Sequence, residues 1–508
     1  MLFRSHTSVS RYPVVCRWRD DLYFTIASVV DFQRVMGSKV VFEFPANPLV
    51  VPQTCLRFKD LENVGVTGRH FSSFCMIGQH SVPDLGGYWK DECVDLDYRL
   101  LTEQFGINKD EVVFVEDVWA GGGSFGPSLE YFVRGLELGN AVFTEFQGEL
   151  GQHTTLDQRV IDMGAGLERF AWITMGTPTT YDCCFGPINE KLFGTIGIDS
   201  DSEILRKYFT EIAKEIDHYD DLNQVRRLAV KNAGITDEQM QKMITPLEGM
   251  YLIADHLRTL IFAITDGALP SNVGGGYNLR MMLRRINATI SKLNLKLNID
   301  DLIDLHVDYL KDTYPELDEK RDDVKSILKL ESARYEESKV HMKKKADKIK
   351  EKGAPSVDEL ITYYESDGIT PEYLKEVDAI SEIPSQFYSK LSDLHQSDKK
   401  KAIAELPLEG LPETETLFYQ DDPMEFDAKV LKVIDDMVVL DRTSFYARGG
   451  GQEPDHGSIA GFNVVDVDKH ANIIVHRLEG GIPKEGEDRK STRLNSSHSS
   501  VSRMPSSA

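Results

Sequence analysis

The spacing of hydrophobic positions changes twice along the chain, and the changes divide it. In residues 1–193 the apolar runs are short and β-branched or aromatic: Tyr12-Pro13-Val14-Val15, Lys39-Val40-Val41-Phe42-Glu43-Phe44 and Glu111-Val112-Val113-Phe114-Val115. Bounded by Gly and Asp, they predict an antiparallel sheet with flanking helices. From about Ser202 the spacing becomes three-and-four, in EILRKYFTEIAKEI, EGMYLIADHLRTLIFAIT and DLIDLHVDYLKDTY, which predicts amphipathic helices through 194–395. A charged stretch over 316–352 ends in Lys339, Lys343, Lys344, Lys345, Lys348, Lys350 and Lys352, either a solvated helix face or a basic stripe. Residues 396–424, rich in Pro, Glu and Asp, read as a linker. Over 425–487 short alternating strands, punctuated by Arg448-Gly449-Gly450-Gly451 and Asp455-His456-Gly457, predict a small β-barrel. The fold class is therefore α+β: sheet with helices, then an all-helical segment, then a barrel. No internal repeat is visible.

With 508 residues, 41% of them hydrophobic, the chain can bury cores for three or four domains. No apolar run reaches a membrane span and the N-terminus is no signal peptide, so no membrane is expected as partner. The six cysteines (Cys16, Cys55, Cys75, Cys93, Cys183, Cys184) form no C-x-x-C pair. Neither a zinc site nor a disulfide framework is indicated, and a reducing cytoplasm fits best. A net charge of −24 argues against a non-specific nucleic-acid coat, and DNA is not expected as a partner; a local basic patch stays open. The serine-rich, periodicity-free stretch 488–508 differs from the rest. Its beginning back-translates into a common sequencing-adapter sequence, and it is set outside the fold.

The candidate chemistry concentrates in two segments. The first is Arg159-Val160-Ile161-Asp162-Met163-Gly164-Ala165-Gly166-Leu167-Glu168-Arg169-Phe170. A β-branched pair ends in a carboxylate, two glycines allow close backbone approach, and an acid–arginine pair opens an apolar helix. The second runs from Cys55-Leu56-Arg57-Phe58-Lys59 to Gly68-Arg69-His70-Phe71-Ser72-Ser73-Phe74. Arg57 and Arg169 could clamp a polyphosphate from two sides, since guanidinium forks match phosphate oxygens. Phe74 offers a stacking face to a base.

These segments resemble motifs 2 and 3 of the class II aminoacyl-tRNA synthetases. The strings LRFKDLENVGVTGRHFSSF and IDMGAGLERF are similar to those of the alanyl-tRNA synthetase family, in its archaeal form. The similarity extends from about Arg11 to about Glu485. It implies an ATP- and Mg2+-dependent ligase that makes alanyl-adenylate and passes the alanyl group to tRNA(Ala). By the resemblance Arg57 holds the α-phosphate and the amino-acid carboxylate, Arg169 the γ-phosphate, and Asp162 the substrate ammonium. His70 and Phe74 match the end of motif 2, where the phenylalanine stacks on adenine, and Gly164 and Gly166 lie under the nucleotide. Trp119 and Val142 resemble walls of the alanine pocket, and Glu130 a carboxylate for magnesium. The motif departs from the usual Arg-x-Glu in having Lys59 at the third place.

Asp266-Gly267-Ala268-Leu269-Pro270-Ser271-Asn272, with Gly276-Tyr277 and Arg280, Arg284 and Arg285, resembles the family's tRNA-reading element. The resemblance implies that Asn272 reads the acceptor-stem G·U pair and that Arg280 and Arg284 hold phosphates; a carboxylate from Glu365 or Asp367 joins them. The family's editing zinc site needs His-x-x-x-His, which this sequence lacks, so zinc and the editing centre are expected beyond residue 487. The family's archaeal members also carry a further N-terminal segment. Two other readings remain: a synthetase-like protein that binds tRNA without catalysis, and a class II ligase for another amino acid.

Overall fold

The computed structural model describes residues 6–19, 21–36, 39–121, 123–149, 152–197, 203–216, 218–219, 221–271, 274–353, 355–384, 387, 390, 408, 411–417, 423–447, 454–470 and 473–494. The chain forms two compact units, Met1–Val15 with Phe24–His395, and Cys16–Tyr23 with Gln396–Ala508.

In the first unit the strands are β1 (Thr7–Ser8), β2 (Gln33–Met36), β3 (Lys39–Phe42), β4 (Leu49–Leu56), β5 (Ser73–Ser81), β6 (Val112–Gly121), β7 (Ser124–Val133), β8 (Leu136–Glu149) and β9 (Gln152–Gly166). Among the described residues seven of them make one sheet in the order β1-β4-β5-β9-β8-β7-β6, and β2 and β3 make a separate hairpin. Apart from the parallel β1–β4 pair, all neighbours in that sheet run antiparallel. Tyr12–Val15, which the sequence suggests as a strand, makes a single bridge from Val15 to Phe24.

The two faces of this sheet follow from the period-two alternation of side chains. Ile161, Met163 and Ala165 of β9 join Ala141 and Phe143 of β8, Tyr131 and Val133 of β7, and Cys93 and Phe170 in one buried core. Cys93 lies on α1 (Lys90–Arg99) and Phe170 on α2 (Leu167–Met175), so these helices cover that face. The intervening residues of β9, Asp162, Gly164 and Gly166, take the other face. Both glycines lie inside a strand that runs straight into α2, rather than in a turn after it.

Beyond α2 the unit is helical: α3 (Thr180–Cys184), α4 (Pro187–Ile196), α5 (Glu203–Glu215), α6 (Leu222–Asn232), α7 (Asp237–Gln239), α8 (Thr245–Thr265), α9 (Gly274–Lys292), α10 (Ile299–Leu310), α11 (Glu316–Glu319), α12 (Arg321–Lys352), α13 (Val357–Asp367) and α14 (Pro371–Glu376). Every described residue of α8 from Met250 to Ile264 is buried except the half-buried Leu252. A helix apolar nearly all round belongs in an interior. Its burial explains why sheet and helices form one unit, and why Asp255, His256, Arg258 and Thr259 within it must find partners. None of the described helices is long and apolar enough to cross a membrane.

In the second unit β10 (Glu415–Thr416) pairs with β13 (Arg442–Thr443), so part of the expected linker is strand. The barrel closes in the order β11 (Glu425–Ile434), β12 (Met437–Leu440), β16 (Ile473–Glu479), β15 (Phe462–His470), β14 (His456–Ile459), β17 (Asp488–Leu494). Its interior holds Phe426, Val430, Val438, Phe445, Ile459, Val467 and Ile474. Asp488–Leu494, the start of the stretch that the sequence reading sets apart, forms the last strand. Asp488–Leu494 bonds to β11 on one side and β14 on the other, and Ser491 is fully buried. Without it both neighbours would be unpaired edges. Residues 495–508, Arg448–Gly451 and most of the expected linker lie outside the described residues.

Candidate active site

Register alone gathers most of the sequence candidates. Asp162 pairs with Val142 on β8 and His80 on β5, and Gly164 with Asn140 and Gly78. Asn140 in turn pairs with Glu130 on β7, which pairs with Val115 on β6. Phe74 lies six residues before His80 on β5 and pairs with Cys55, two residues before Arg57. Residues paired across an antiparallel ladder, or spaced by two along a strand, share a face. Arg57, Phe74, Trp119, Glu130, Val142, Asp162, Gly164 and Gly166 therefore belong to the face opposite α1. A Cβ at Gly164 would come within 2.8 Å of Met76 Sδ, so that side chain would have to shift.

Arg57 continues the line of β4. Its Nε donates to the Ile26 carbonyl at 3.1 Å, and its guanidinium lies 4.9 Å from the Phe74 ring centroid. The side chain is open to solvent, yet protein crowds it on several sides. That partial desolvation lowers its pKa, and repulsion from Arg169 lowers it further. Arg169, in the first turn of α2, donates from Nη1 to both the carbonyl (2.9 Å) and the carboxylate (2.8 Å) of Glu137. Two guanidiniums close enough to repel make a field suited to an extended polyanion.

Asp162 is 7% exposed, and burial pushes its carboxyl up to about 7. The nearby His80 does not supply a positive charge. Its Nδ1 is 3.7 Å from Asp162, too long for a hydrogen bond, and burial depresses its pKa to about 3. Its ring nitrogens lie instead against the Ser28 hydroxyl (3.2 Å) and the Ile161 carbonyl (3.4 Å). Asp162 is thus a desolvated carboxylate beside the buried Val142, suited to one small cation carrying an apolar group. Asn140, one register step away, has a buried Oδ1 that accepts from none of the described residues. Sequence reading missed it, although it opens the same NAVFTEF string that supplies Val142.

On β6 and β7, Glu130 is half-buried and its pKa is raised, first by burial and then by repulsion from Glu137 and Asp117. Among the described residues no three His, Cys, Asp or Glu side chains are set to hold a metal. Mg2+ suits such a place all the same, because it keeps several waters and takes one or two carboxylates together with phosphates. Trp119 is half-buried, with its ring over Gly121. Glu137 is a second residue that sequence reading missed, since a carboxylate in a β-hairpin gives no local signal.

The hairpin between β4 and β5 is tied to the helices. His70 Nδ1 lies 2.7 Å from the Thr67 hydroxyl, and the Tyr181 hydroxyl donates to the His70 carbonyl while accepting from Gly65 N at 2.9 Å. Asp255 and Arg258 of α8 and Arg285 of α9 reach the same hairpin. The sequence signal for them is polar residues inside an otherwise apolar helix.

The expected tRNA-reading residues fare differently. Asn272 lies outside the described residues, as do the side chains of Glu365 and Asp367. Arg280 pairs with the buried Glu331 at 2.5 Å, and Arg284 donates to the Gly368 carbonyl at 2.9 Å with its guanidinium over the Tyr335 ring. Both are thus engaged within the helical segment. In the barrel, His476 is buried and its ring nitrogens lie against the Thr443 hydroxyl (2.8 Å) and the Val438 carbonyl (3.3 Å). The side chain of His470 lies outside the described residues.

Against this geometry, a family model described as tRNA synthetases class II (A) matches residues 3–491. The chain is 97% identical over 483 residues to the alanine–tRNA ligase of Nitrosopumilus maritimus (strain SCM1), covering 95% of this chain and 54% of that protein. It is 68% identical over 482 residues to the alanine–tRNA ligase of Cenarchaeum symbiosum (strain A), with the same coverage. It is 39% identical over 488 residues to that of Methanocella arvoryzae, covering 94% and 55%. The chain spans about half the length of the curated relatives it matches.

Proposed function

Because this chain belongs to the class II (A) tRNA synthetase family, we propose that it carries the synthetic site of an alanine–tRNA ligase. The carrying observation is one sheet face that holds Arg57, Phe74, Val142, Asp162 and Gly164, with Arg169 of α2 close enough to repel Arg57. Asp162 receives the ammonium of alanine, and Val142 and Trp119 bound its methyl group. Adenine stacks on Phe74 with His70 at the hairpin's turn, and Gly164 and Gly166 leave room for the nucleotide. Arg57 bridges the amino-acid carboxylate and the α-phosphate; Arg169 takes the γ-phosphate. Glu130 would be the carboxylate that holds Mg2+, which would supply charge neutralisation for the leaving pyrophosphate.

A carboxylate oxygen of alanine attacks the α-phosphorus, the bond to the bridging oxygen breaks, and pyrophosphate leaves. The terminal ribose hydroxyl of tRNA(Ala) then attacks the alanyl carbonyl, and AMP departs. Both steps rest on positioning and charge neutralisation more than on covalent help from the protein. The six cysteines are free thiols, in keeping with a cytoplasmic enzyme. ATP–pyrophosphate exchange with each amino acid in turn tests the assignment. Alanine-dependent exchange is expected; exchange with a different amino acid, or with none, rejects it.

Asp162 gives this site a pH signature. Burial raises its pKa to about 7, so below that value the unliganded site holds a neutral acid with no charge for an ammonium. The carboxylate fraction falls about tenfold for each pH unit below the pKa. KM for alanine is therefore expected to fall as pH rises from 6 to 8 and then level off, while KM for ATP follows a different curve. An alanine KM that is flat over this range counts against the role.

We further propose that Asn272 reads the acceptor-stem G·U pair, helped by one of Glu365 and Asp367, with Arg280 and Arg284 lending charge. An amide that donates and accepts at once suits a base edge. Asn272→Ala is expected to lower aminoacylation about tenfold or more while leaving pyrophosphate exchange unchanged, on the scale of one lost base contact. A drop in exchange with unaltered charging of tRNA rejects it. Zinc-dependent editing is assigned to sequence beyond this site.

A further inference from the structure

Within little more than one turn of α8, Asp255, Arg258 and Thr259 reach Ser72 and Ser73, and His256 joins Asp255 to Arg285. Asp255, His256 and Thr259 are fully buried and Arg258 is 8% exposed. The Asp255 carboxylate accepts from Ser72 N at 3.0 and 3.2 Å and from the Ser72 hydroxyl, which also lies 2.7 Å from the Thr259 hydroxyl. His256 Nδ1 is 3.0 Å from Asp255, and Arg285 Nη1 of α9 is 3.0 Å from His256 Nε2 and 2.9 Å from the Leu61 carbonyl. Arginine has donors alone, so Nε2 must accept and the imidazole proton must sit on Nδ1, donated to Asp255. Burial keeps this histidine neutral, with a pKa of about 4. The chain of bonds thus has one direction, from Arg285 through His256 to Asp255, which holds Ser72.

Alongside it, Arg258 donates to the Ser73 hydroxyl at 3.1 Å and to the Ser73 carbonyl, and Glu168 of α2 accepts from Cys75 N at 3.0 and 3.1 Å. The residues on both sides of Phe74 are therefore fixed by buried charged groups. Apolar side chains of similar volume would pack α8 at least as well without the cost of desolvating ions. What the ions add is direction and register.

We propose that Arg285, His256 and Asp255 are positioning residues for nucleotide binding, a relay through which α9 sets the placement of the Phe74 platform. The inference rests on the reading of Phe74 as the adenine-stacking residue. Arg285 follows Arg284 directly in sequence, so the helix that supplies the relay is also the one next to the proposed tRNA-reading element.

The test compares His256→Leu, which removes one bond from each of Asp255 and Arg285; His256→Gln, which keeps one donor and one acceptor; and Arg285→Lys, a milder break. All are made in the full chain, with KM for ATP and for alanine measured separately in pyrophosphate exchange well below each variant's melting temperature. His256→Leu is expected to raise KM for ATP about tenfold, on the scale of one buried hydrogen bond to a charged group. KM for alanine should stay within about twofold, since Asp162 and Val142 are not touched by the relay. His256→Gln should recover most of the loss and Arg285→Lys should fall between. If His256→Leu does not fold, Arg285→Lys and His256→Gln carry the comparison. Equal rises in both KM values, or a lower melting temperature with KM for ATP unchanged, overturns the relay. Absence of alanine-dependent exchange in the unmutated chain would instead overturn the proposed function, and calorimetric ATP affinities of the same variants would then decide the relay alone.

Discussion

Asp162→Asn is expected to raise KM for alanine by roughly 10- to 150-fold, with KM for ATP nearly unchanged. The replacement keeps shape and removes one charge. In the folded chain that carboxylate is buried, and the nearest imidazole, His80, is too strongly desolvated to be protonated near neutral pH. On the proposed role the substrate ammonium is its counter-ion, and a charge-assisted hydrogen bond contributes ~1.5–3 kcal/mol. The pH dependence of KM for alanine should disappear in the same variant, because no titrating group is left at that position. Pyrophosphate exchange at varied alanine and fixed ATP measures the effect. Equal loss for both substrates would reject the assignment.

The second large effect belongs to Arg57. Arg57→Ala should lower kcat for exchange by about 10²–10³, the range seen when one preorganised donor to developing charge is removed. The backbone at Ile26 holds its Nε, and Phe74 supports the guanidinium plane, so the fork is preset before any phosphate arrives. Arg57→Lys keeps the charge but loses the planar pair of donors, and it should recover only part of the rate. Activity of the alanine variant within tenfold of the original would remove Arg57 from the reacting centre.

How much of this was legible in the sequence differs residue by residue. The alternation in β9 was visible, because Ile161, Met163 and Ala165 are apolar and the residues between them are a carboxylate and two glycines. What the string could not give was the partner strands: the pairing of Asp162 with Val142 joins residues 20 positions apart and that with His80 joins residues 82 apart. Such contacts are set by register, not by local pattern. The spacing of α8 announced a helix, but not that its polar residues are buried along with its apolar ones. That Arg280 and Arg284 share a helix face was legible from their spacing, but their bonds to Glu331 and the Gly368 carbonyl were not. The last barrel strand was not legible for a related reason. A serine-rich string has weak strand signal, and Asp488–Leu494 is held by the two open edges beside it.

The burial of α8 also bears on how small a working protein could be made. The sheet carries the proposed reacting groups, so trimming the chain after Ile196 looks attractive to an engineer. That cut would remove the anchors of Leu61, Ser72 and Ser73 and lay open the surface that α8 occupies. The excised piece would keep its reactive side chains and lose the scaffold that aims them. A trimmed protein that keeps these anchors therefore needs the sheet together with at least α8 and α9, whose side chains grip the hairpin.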